Sequence, residues 1–311
     1  MTTYRHVTVE RWAGPCGAVV GGVDLAADLD DTVIAEIRAA LCEHGVVFLR
    51  DQSLTPEQQV RFSRRFGAYS PVPFVHAIPE QQVRFSRRFG AYSPVPFVHA
   101  IPEHPEVIAV RREPTEAAGL AFGGVWHSDF SFLPEPPMGS ILHAIEVPPY
   151  GADTLFANQA LAFATLSPGM QRMLRGLDAV HSARDAYSPK MQGIHDRFEG
   201  MTVTTSEEAN STQAHPVVRR HAETGADTLF VNQQYTVGLD GFWPHEARPI
   251  LDRLFAHATQ DSFTCRWRWA PGDVAFWDNR AVQHMVMGDV TGHRRLMHRT
   301  TVAGEAPIPA R

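Results

Sequence analysis

The part of the chain after residue 120 consists mostly of short strand-like segments separated by turn residues, and this pattern restricts the fold more than any other feature. Several segments alternate in polarity, as strands with one buried face do. Two predicted helices interrupt them, one after Ser167 and one over 244–259. We therefore expect a mainly β protein, either a β-sandwich or a double-stranded β-helix (jelly roll), flanked by α-helices. The predicted strands span 139–147, 154–158, 216–221, 228–232, 263–269, 274–277 and 295–302.

The N-terminal part predicts two helices and a short buried strand. Apolar residues recur at helical spacing over 31–44, Gly45 follows as a helix terminator, and 46–49 is a continuous apolar run. A second helix is predicted to begin after Thr55, because Pro56 suits its first position and Gln58 can close a capping box.

A tandem duplication lies within this part: residues 56–80 recur unchanged as 79–103, with a period of 23 residues. Repeat proteins stack three or more diverged units, so two identical copies indicate a recent duplication or an error in sequence assembly. The second copy has Ile78 where the first has the capping residue Thr55. We predict one domain over 1–311, with one of the blocks 56–78 and 79–101 in the core and the other an extension or an artefact.

Charge and cysteine content argue against several classes of protein. The net charge is -6 and no basic stripe is visible, which disfavours a nucleic-acid partner. Three scattered cysteines without a CxxC pair disfavour a zinc ribbon or a disulfide framework. We find no Gly-rich phosphate loop, no apolar leader and no apolar run of about 18 residues. The sequence therefore predicts a cytoplasmic protein with no membrane partner.

His127 and Asp129 are the first candidate metal ligands. In an extended strand, residues i and i+2 point to the same face about 6.6 Å apart, so an imidazole and a carboxylate can converge on one ion. A histidine from a distant strand would complete a two-histidine, one-carboxylate face with open positions. The spacing alone is not specific, because His104 and His221 also lie two residues before a glutamate. A hydrogen-bonded surface pair is the simpler interpretation of any single triplet.

The C-terminal part offers the third ligand, His284, and two candidate anion-binding residues, Arg295 and Arg299. The two arginines share one face of a predicted strand, about 13 Å apart. A guanidinium that faces the interior is costly unless a carboxylate meets it, and its fork of donors suits dianionic acids. The alternative is that one of these arginines pairs with a nearby Asp or Glu of the chain.

The motifs together resemble the taurine dioxygenase (TauD/TfdA) family of iron(II)- and 2-oxoglutarate-dependent oxygenases. The shared pattern is Trp-His-x-Asp ending at Asp129, Gly-Ala-Asp-Thr ending at Thr154, and Trp-Asp-Asn-Arg beginning at Trp277. His284 follows, with arginines 11 and 15 residues beyond it. The motifs agree in order and spacing over most of the chain outside the duplication. Shorter matches lie at 21–25, 46–50, 215–219 and 229–232.

The resemblance implies that His127, Asp129 and His284 bind Fe(II), with O2 and 2-oxoglutarate as cosubstrates. It also implies that Arg295 binds the distal carboxylate of 2-oxoglutarate and that Thr154 hydrogen-bonds the same molecule. The tryptophans beside the ligands are expected to pack around the site.

The substrate side is expected to include Arg299, which matches a residue that grips the substrate anion in some members. Two departures from the family pattern affect this side. Gly123 stands where the taurine enzymes have an asparagine, and the expected substrate-side histidine has only loose candidates, His76 or His99, inside the duplication. Gly123 and His99 are therefore candidate substrate contacts, and taurine itself is not the expected substrate.

The resemblance implies a dioxygenase that hydroxylates a small organic anion: a sulfonate, a sulfate ester or an aryloxyalkanoate. Succinate and CO2 would be released, and collapse of the product would cleave a C–S or C–O bond. Alternatives are an oxygenase for an amino-acid-like or biosynthetic intermediate, a zinc hydrolase, and a non-catalytic jelly-roll binding protein. Asp129 argues against a halogenase, because chloride needs its position. We expect a homo-oligomer, either a dimer or a tetramer.

Overall fold

The computed structural model describes residues 3–71, 100–101 and 104–310. The helices are α1 (Asp31–His44), α2 (Pro56–Arg64), α3 (Gln159–Ala164), α4 (Pro168–Arg175), α5 (Arg184–Tyr187), α6 (Gln192–His195) and α7 (Pro244–Ala258). The strands are β1 (Thr8–Arg11), β2 (Ala18–Gly21), β3 (Val46–Leu49), β4 (Ala100–Ile101), β5 (His104–Arg112), β6 (Gly139–Glu146), β7 (Thr154–Asn158), β8 (Asp178–Ser182), β9 (Thr212–Pro216), β10 (Val218–Arg220), β11 (Asp227–Leu229), β12 (Thr236–Leu239), β13 (Thr264–Trp267), β14 (Val274–Asp278), β15 (Val282–Val286), β16 (Arg295–Val302) and β17 (Ile308–Pro309). Among the described helices, none has the length and apolar character needed to cross a membrane.

Helix α1 has the predicted bounds, and its ending follows from backbone chemistry. It buries Ile37 and Leu41 on one face. Gly45 adopts a φ of 74° and its N–H donates to the Leu41 carbonyl at 2.7 Å. Residues with a Cβ rarely adopt this left-handed conformation, so glycine suits the turn into β3.

Helix α2 begins with the predicted capping box. The Gln58 N–H donates to Thr55 Oγ1 at 3.3 Å, and the Thr55 N–H donates to Gln58 Oε1 at 2.8 Å. Val60 and Phe62 lie on its buried face. This helix belongs to the first copy of the repeat, whereas most of the second copy lies outside the described residues. The prediction that one copy is an extension or an artefact therefore stays a prediction.

The main sheet has eight strands in the order β1-β2-β3-β14-β6-β16-β5-β4. Strands β2 and β3 pair in parallel, and the other neighbouring pairs are antiparallel. Helices α1 and α2 cover one face, where Ile37, Phe62, Ile141 and Phe276 belong to one buried cluster. That face is therefore closed to solvent, and the opposite face is available for a second sheet.

The second sheet, β13-β7-β15, faces this opposite side of the main sheet. A buried cluster contains Phe48 and Trp277 from the main sheet together with Phe156 and Trp267 from the small one. The rings of Phe48 and Trp267 stack with centroids 3.9 Å apart. Because β15 carries His284, this packing fixes the candidate ligand between the two sheets.

The prediction of a mainly β protein with several sheets and few helices is confirmed. Two further sheets have the orders β12-β8-β9 and β11-β10-β17. The strands predicted at 216–221 and 228–232 are shorter, spanning Val218–Arg220 and Asp227–Leu229. Strand β15 was not predicted, although it carries a candidate ligand.

Candidate metal centre

The structure brings His127, Asp129 and His284 together. One ligand atom from each lies within 4.8 Å of the other two. The Nε2 atoms of His127 and His284 are each 3.6 Å from Asp129 Oδ1. All three side chains are buried, and together they form the one candidate metal cluster among the described residues.

Backbone hydrogen bonds hold the two histidines side by side. The His127 N–H donates to the His284 carbonyl at 3.1 Å, and the His284 N–H donates back at 2.8 Å. The prediction that His127 and Asp129 lie in an extended strand is wrong. His127 makes an isolated bridge and Asp129 begins a turn in which Phe130 adopts a φ of 47°. The turn, rather than strand alternation, brings the carboxylate to the imidazoles.

Asp129 presents Oδ1 to the histidines because its Oδ2 is already occupied. Oδ2 accepts hydrogen bonds from Ser140 Oγ at 2.8 Å and Trp277 Nε1 at 3.2 Å, and it lies 2.7 Å from an Arg299 nitrogen. Burial raises the pKa of Asp129, but Arg299 and His284 hold that pKa well below its usual value. The carboxylate is therefore ionised and directed as a one-oxygen ligand.

The two imidazoles are suited to donate Nε2 lone pairs. His127 Nδ1 lies 2.7 Å from the Val125 carbonyl, a contact that favours the proton on Nδ1. Burial, followed by the proximity of His127, lowers the pKa of His284 well below its usual value. Neutral imidazoles and one carboxylate are a suitable donor set for a divalent transition metal.

Asn279 fixes the loop that carries the ligands. Its Oδ1 accepts from the Asp129 N–H at 3.2 Å and from Trp277 Nε1 at 3.1 Å. Its carbonyl accepts from Ser128 Oγ at 2.8 Å. Trp277 was expected to pack near the site, and it also hydrogen-bonds the candidate ligand. The end of β14 therefore positions the His127–Asp129 segment.

Arg295 is a buried guanidinium that forms no salt bridge within the described part of the chain. Its Nε and Nη2 have no hydrogen-bond partner within the described part of the chain. Burial lowers its pKa to about 10, so it remains charged at neutral pH. It lies 5.9 Å from the centre of the Trp269 ring, whose Nε1 donates to Thr154 Oγ1 at 3.0 Å. The two residues predicted to bind 2-oxoglutarate thus flank one tryptophan.

His127 and Asp129 open into a cavity of about 260 Å³, which Arg299, Gly123 and mostly apolar side chains also line. A smaller cavity that includes Arg295 adjoins it, since Phe122 and others line both. Such a concave, largely apolar site with a few polar groups is typical of small-molecule binding.

Of the candidate substrate contacts, the structure describes Gly123 and Arg299. Gly123 has a φ of 79°, and a Cβ there would lie 3.4 Å from His127 Cε1. Arg299 lines the cavity, but its Nη2 also bonds Asp129 and Ser140. His99 and His76 lie outside the described residues.

In the other two His-x-acid triplets, described side chains take part in ion pairs. Glu106 pairs with Arg64 at 2.7 Å. His221 Nε2 lies 3.0 Å from Asp278 Oδ2, in a buried pair. Spacing alone therefore could not identify the ligands.

A family model described as "Taurine catabolism dioxygenase TauD, TfdA family" matches residues 8–78 and 74–301. The chain belongs to this family. The family predicted from the sequence is therefore confirmed, and the protein is an α-ketoglutarate-dependent dioxygenase.

Named relatives of this TauD/TfdA dioxygenase cover nearly its whole length. The α-ketoglutarate-dependent sulfate ester dioxygenase of Pseudomonas putida is 31% identical over 311 residues, 97% of this chain and 91% of the relative. The α-ketoglutarate-dependent 2,4-dichlorophenoxyacetate dioxygenase of Cupriavidus pinatubonensis is 32% identical over 289 residues, 92% and 94% of the two chains. The crystal structure of a taurine dioxygenase from Burkholderia xenovorans superposes with a TM-score of 0.76 and 32% identity, covering 98% of this chain and 93% of that one.

Sequence reasoning about this TauD/TfdA dioxygenase missed several residues at the site. Ser140 and Trp269 hydrogen-bond the candidate ligand and cosubstrate residues, but neither carries a recognisable motif. Tyr187 and Tyr235 line the cavity. Tyr235 follows the matched segment 229–232, which was the available signal for its neighbourhood.

Proposed function

We propose that this dioxygenase binds Fe(II) through Nε2 of His127, Nε2 of His284 and Oδ1 of Asp129. The observation that carries the proposal is the convergence of these three buried atoms within 4.8 Å. Two imidazoles and one carboxylate on one side of the ion form the donor set of non-haem Fe(II) oxygenases. His127 and Asp129 line the cavity, which cosubstrates and substrate would enter.

Arg295 and Thr154 are the proposed contacts for 2-oxoglutarate. The buried guanidinium can form paired, charge-assisted hydrogen bonds with the distal carboxylate. Because Thr154 Oγ1 accepts the Trp269 N–H, the hydroxyl proton is left to donate to the cosubstrate. A carboxylate at this place also compensates the burial of Arg295.

The proposed substrate is a small organic anion with an apolar body: a sulfate ester, a sulfonate or an aryloxyalkanoate. Arg299 is the charged side chain that can meet its acidic group at the metal end of the cavity, and its Nε has no partner among the described residues. Gly123 keeps space open beside His127, and His99 is retained as a proposed substrate contact. The two relatives named above act on a sulfate ester and on a phenoxyacetate.

When bound, iron and 2-oxoglutarate supply the oxidation of a substrate C–H bond by O2, with succinate and CO2 as coproducts. The residues of the chain bind and orient. Ser140 and Trp277 hold Oδ2 of Asp129 so that Oδ1 faces the metal. Arg299 positions the anion, and the apolar walls exclude water from the reacting carbon.

We also propose the finer features expected from the sequence: a double-stranded β-helix core, a homo-oligomer and a cytoplasmic location. The face-to-face packing of the β13-β7-β15 sheet on the main sheet supports the first of these. The other two stay predictions.

Release of succinate tests the proposal. Purified protein is given Fe(II), 2-oxoglutarate and O2 with each of a series of sulfate esters, sulfonates, aryloxyalkanoates and amino acids. We expect succinate that requires Fe(II) and increases with one of the first three classes. Stimulation by amino acids alone would support the alternative oxygenase. Zinc-dependent ester hydrolysis without 2-oxoglutarate would support a hydrolase, and ligand binding without any turnover would support a binding protein.

A further inference from the structure

Two buried tyrosines form part of the wall of the metal-side cavity. Tyr187 is 5% exposed and Tyr235 is 4% exposed, and both line the space that contains His127, Asp129 and Arg299. Burial raises the pKa of both phenols, so both hydroxyls stay protonated at neutral pH. The cavity therefore presents two phenol groups beside the candidate metal ligands.

The Tyr187 and Tyr235 hydroxyls lie close enough to influence each other's pKa. A hydroxyl can donate one hydrogen bond and accept two, so each phenol can bond more than one neighbour.

Packing holds both rings in place. The Tyr235 ring meets the His127 ring edge to face, with centroids 6.1 Å apart, and the Phe132 ring at 5.0 Å. The Tyr187 ring stacks on His195 at 5.9 Å with nearly parallel planes. Backbone hydrogen bonds fix Tyr187 at both its N–H and its carbonyl. The hydroxyl pair is therefore preorganised, which reduces the entropic cost of a hydrogen bond to a ligand.

Tyr187 and Tyr235 differ chemically from the rest of the cavity wall. Much of the lining is apolar, including Ile108, Phe122, Ile194 and Phe198. A hydrocarbon body would be buried favourably there, and Arg299 would meet an acidic group. Neither interaction requires phenol hydroxyls, and phenylalanines would provide the same apolar surface.

We propose that the Tyr187–Tyr235 pair determines specificity by hydrogen-bonding an acceptor oxygen of the substrate next to the carbon that is oxidised. The preferred substrates are then apolar anions linked through oxygen, namely sulfate esters or aryloxyalkanoates, rather than sulfonates with an all-carbon body. This inference rests on the proposed function, because it places the oxygen within the cavity beside the metal ligands.

Matched acids that exchange one oxygen for a methylene test this selection. The first pair is phenoxyacetate and 3-phenylpropanoate, and the second is hexyl sulfate and 1-heptanesulfonate. Dissociation constants are measured by calorimetry on full-length protein loaded with Co(II) and 2-oxoglutarate without O2, so that no turnover is needed. Binding of 2-oxoglutarate to the same sample is measured first, and its absence would contradict the proposed function rather than the specificity.

The variants are Tyr187→Phe and Tyr235→Phe, with the exposed Tyr150→Phe as the matched control. We expect the wild type and the control to bind the oxygen-linked acid of at least one pair about fivefold more tightly, the effect of one net hydrogen bond. At least one cavity variant should reduce this ratio to about one while its affinity for 2-oxoglutarate is unchanged. The two acids of a pair differ in polarity by the same amount for every protein. This difference therefore cancels when the ratio of their dissociation constants is compared between proteins.

Three results would overturn the inference. One is a wild-type ratio near one in both pairs, and another is an unchanged ratio in both cavity variants. The third is that none of the four acids binds although 2-oxoglutarate does. If a phenylalanine variant loses 2-oxoglutarate binding, Tyr187→Leu or Tyr235→Leu is measured in its place. That leucine variant must also lose the preference for the oxygen-linked acid.

Discussion

At the scale of single residues, the orientation of the Asp129 carboxylate is fixed by the groups that bond Oδ2, the oxygen that faces away from the histidines. Ser140 and Trp277 donate to Oδ2, and Arg299 adds a positive charge. A carboxylate held in this way cannot rotate to offer both oxygens. The groups that hydrogen-bond a metal ligand commonly change metal affinity by about 10- to 100-fold, because they fix the orientation and basicity of the ligand.

Replacing Ser140 by alanine should therefore weaken metal binding. We expect the dissociation constant for Mn(II) to rise about tenfold, because a hydrogen bond to the ligand is lost and the carboxylate can turn. Competition with a chelating dye measures it. Ser53→Ala, at an exposed position, is the control and should bind as the wild type does. Equal affinity in both variants would mean that Trp277 and Arg299 suffice to hold Asp129.

Arg299→Ala should affect the primary substrate far more than 2-oxoglutarate. Loss of a charge-assisted hydrogen bond in a buried site predicts an increase on the order of 30-fold in substrate dissociation constant. Both ligands are titrated separately into protein saturated with Co(II), which also corrects for weaker metal binding. The exposed Arg248→Ala is the control. Equal losses for both ligands would argue against Arg299 as the substrate-anion contact.

The residue identities were partly predictable. His127, Asp129, His284 and Arg295 can be selected as candidates from the sequence because recognisable motifs surround them. Ser140 was not, because its role depends on strand register: it lies opposite Trp277 where β6 pairs with β14. Such a cross-strand relation joins positions far apart in the chain and leaves no local pattern.

At the scale of elements, the residues within each segment are sufficient to predict α1, β3 and the start of α2 from the sequence. Each has its own cap, terminator or apolar run, so the backbone preference can be read from a few neighbouring residues. Strand β15 is different because it is defined by pairing with β7. The turn at Asp129 was also missed, since a positive φ at Phe130 is unusual for a residue other than glycine.

The capping box of α2 gives a stability prediction. Thr55→Ala should lower the free energy of unfolding by about 1 kcal/mol, because the Gln58 N–H loses its acceptor. Urea unfolding followed by circular dichroism measures the change. Thr55→Ser keeps a hydroxyl and should retain most of the stability. An alanine variant as stable as the wild type would show that tertiary packing alone fixes the helix start.

At the scale of the whole molecule, buried uncharged histidines link stability to pH. His181 is fully buried, and burial, followed by the proximity of His215, lowers its pKa to about 3. The unfolded chain would protonate this group near pH 6.5. Folding is therefore stabilised above pH 6.5, and the stabilisation is lost as the pH falls towards 3.

Replacing His181 by glutamine should reduce the acid sensitivity of the fold. The slope of unfolding free energy against pH between 6 and 4 should fall by about 1.4 kcal/mol per unit, the contribution of one proton. Urea titrations at several pH values measure this slope, and the exposed His245→Gln should leave it unchanged. An unchanged slope in His181→Gln would mean that His181 is protonated in the folded protein.

The arrangement of Arg299 has a consequence for how such an enzyme can diversify. One guanidinium pairs with Asp129, the proposed metal ligand, and also lines the cavity proposed for the substrate's acidic group. In a related enzyme that acts on uncharged compounds, this arginine would no longer be needed to bind the substrate. Its replacement would nevertheless remove the positive charge that stabilises the ionised Asp129. Evolution towards neutral substrates should therefore require a compensating cation elsewhere, and acidic substrates are the easier direction of change.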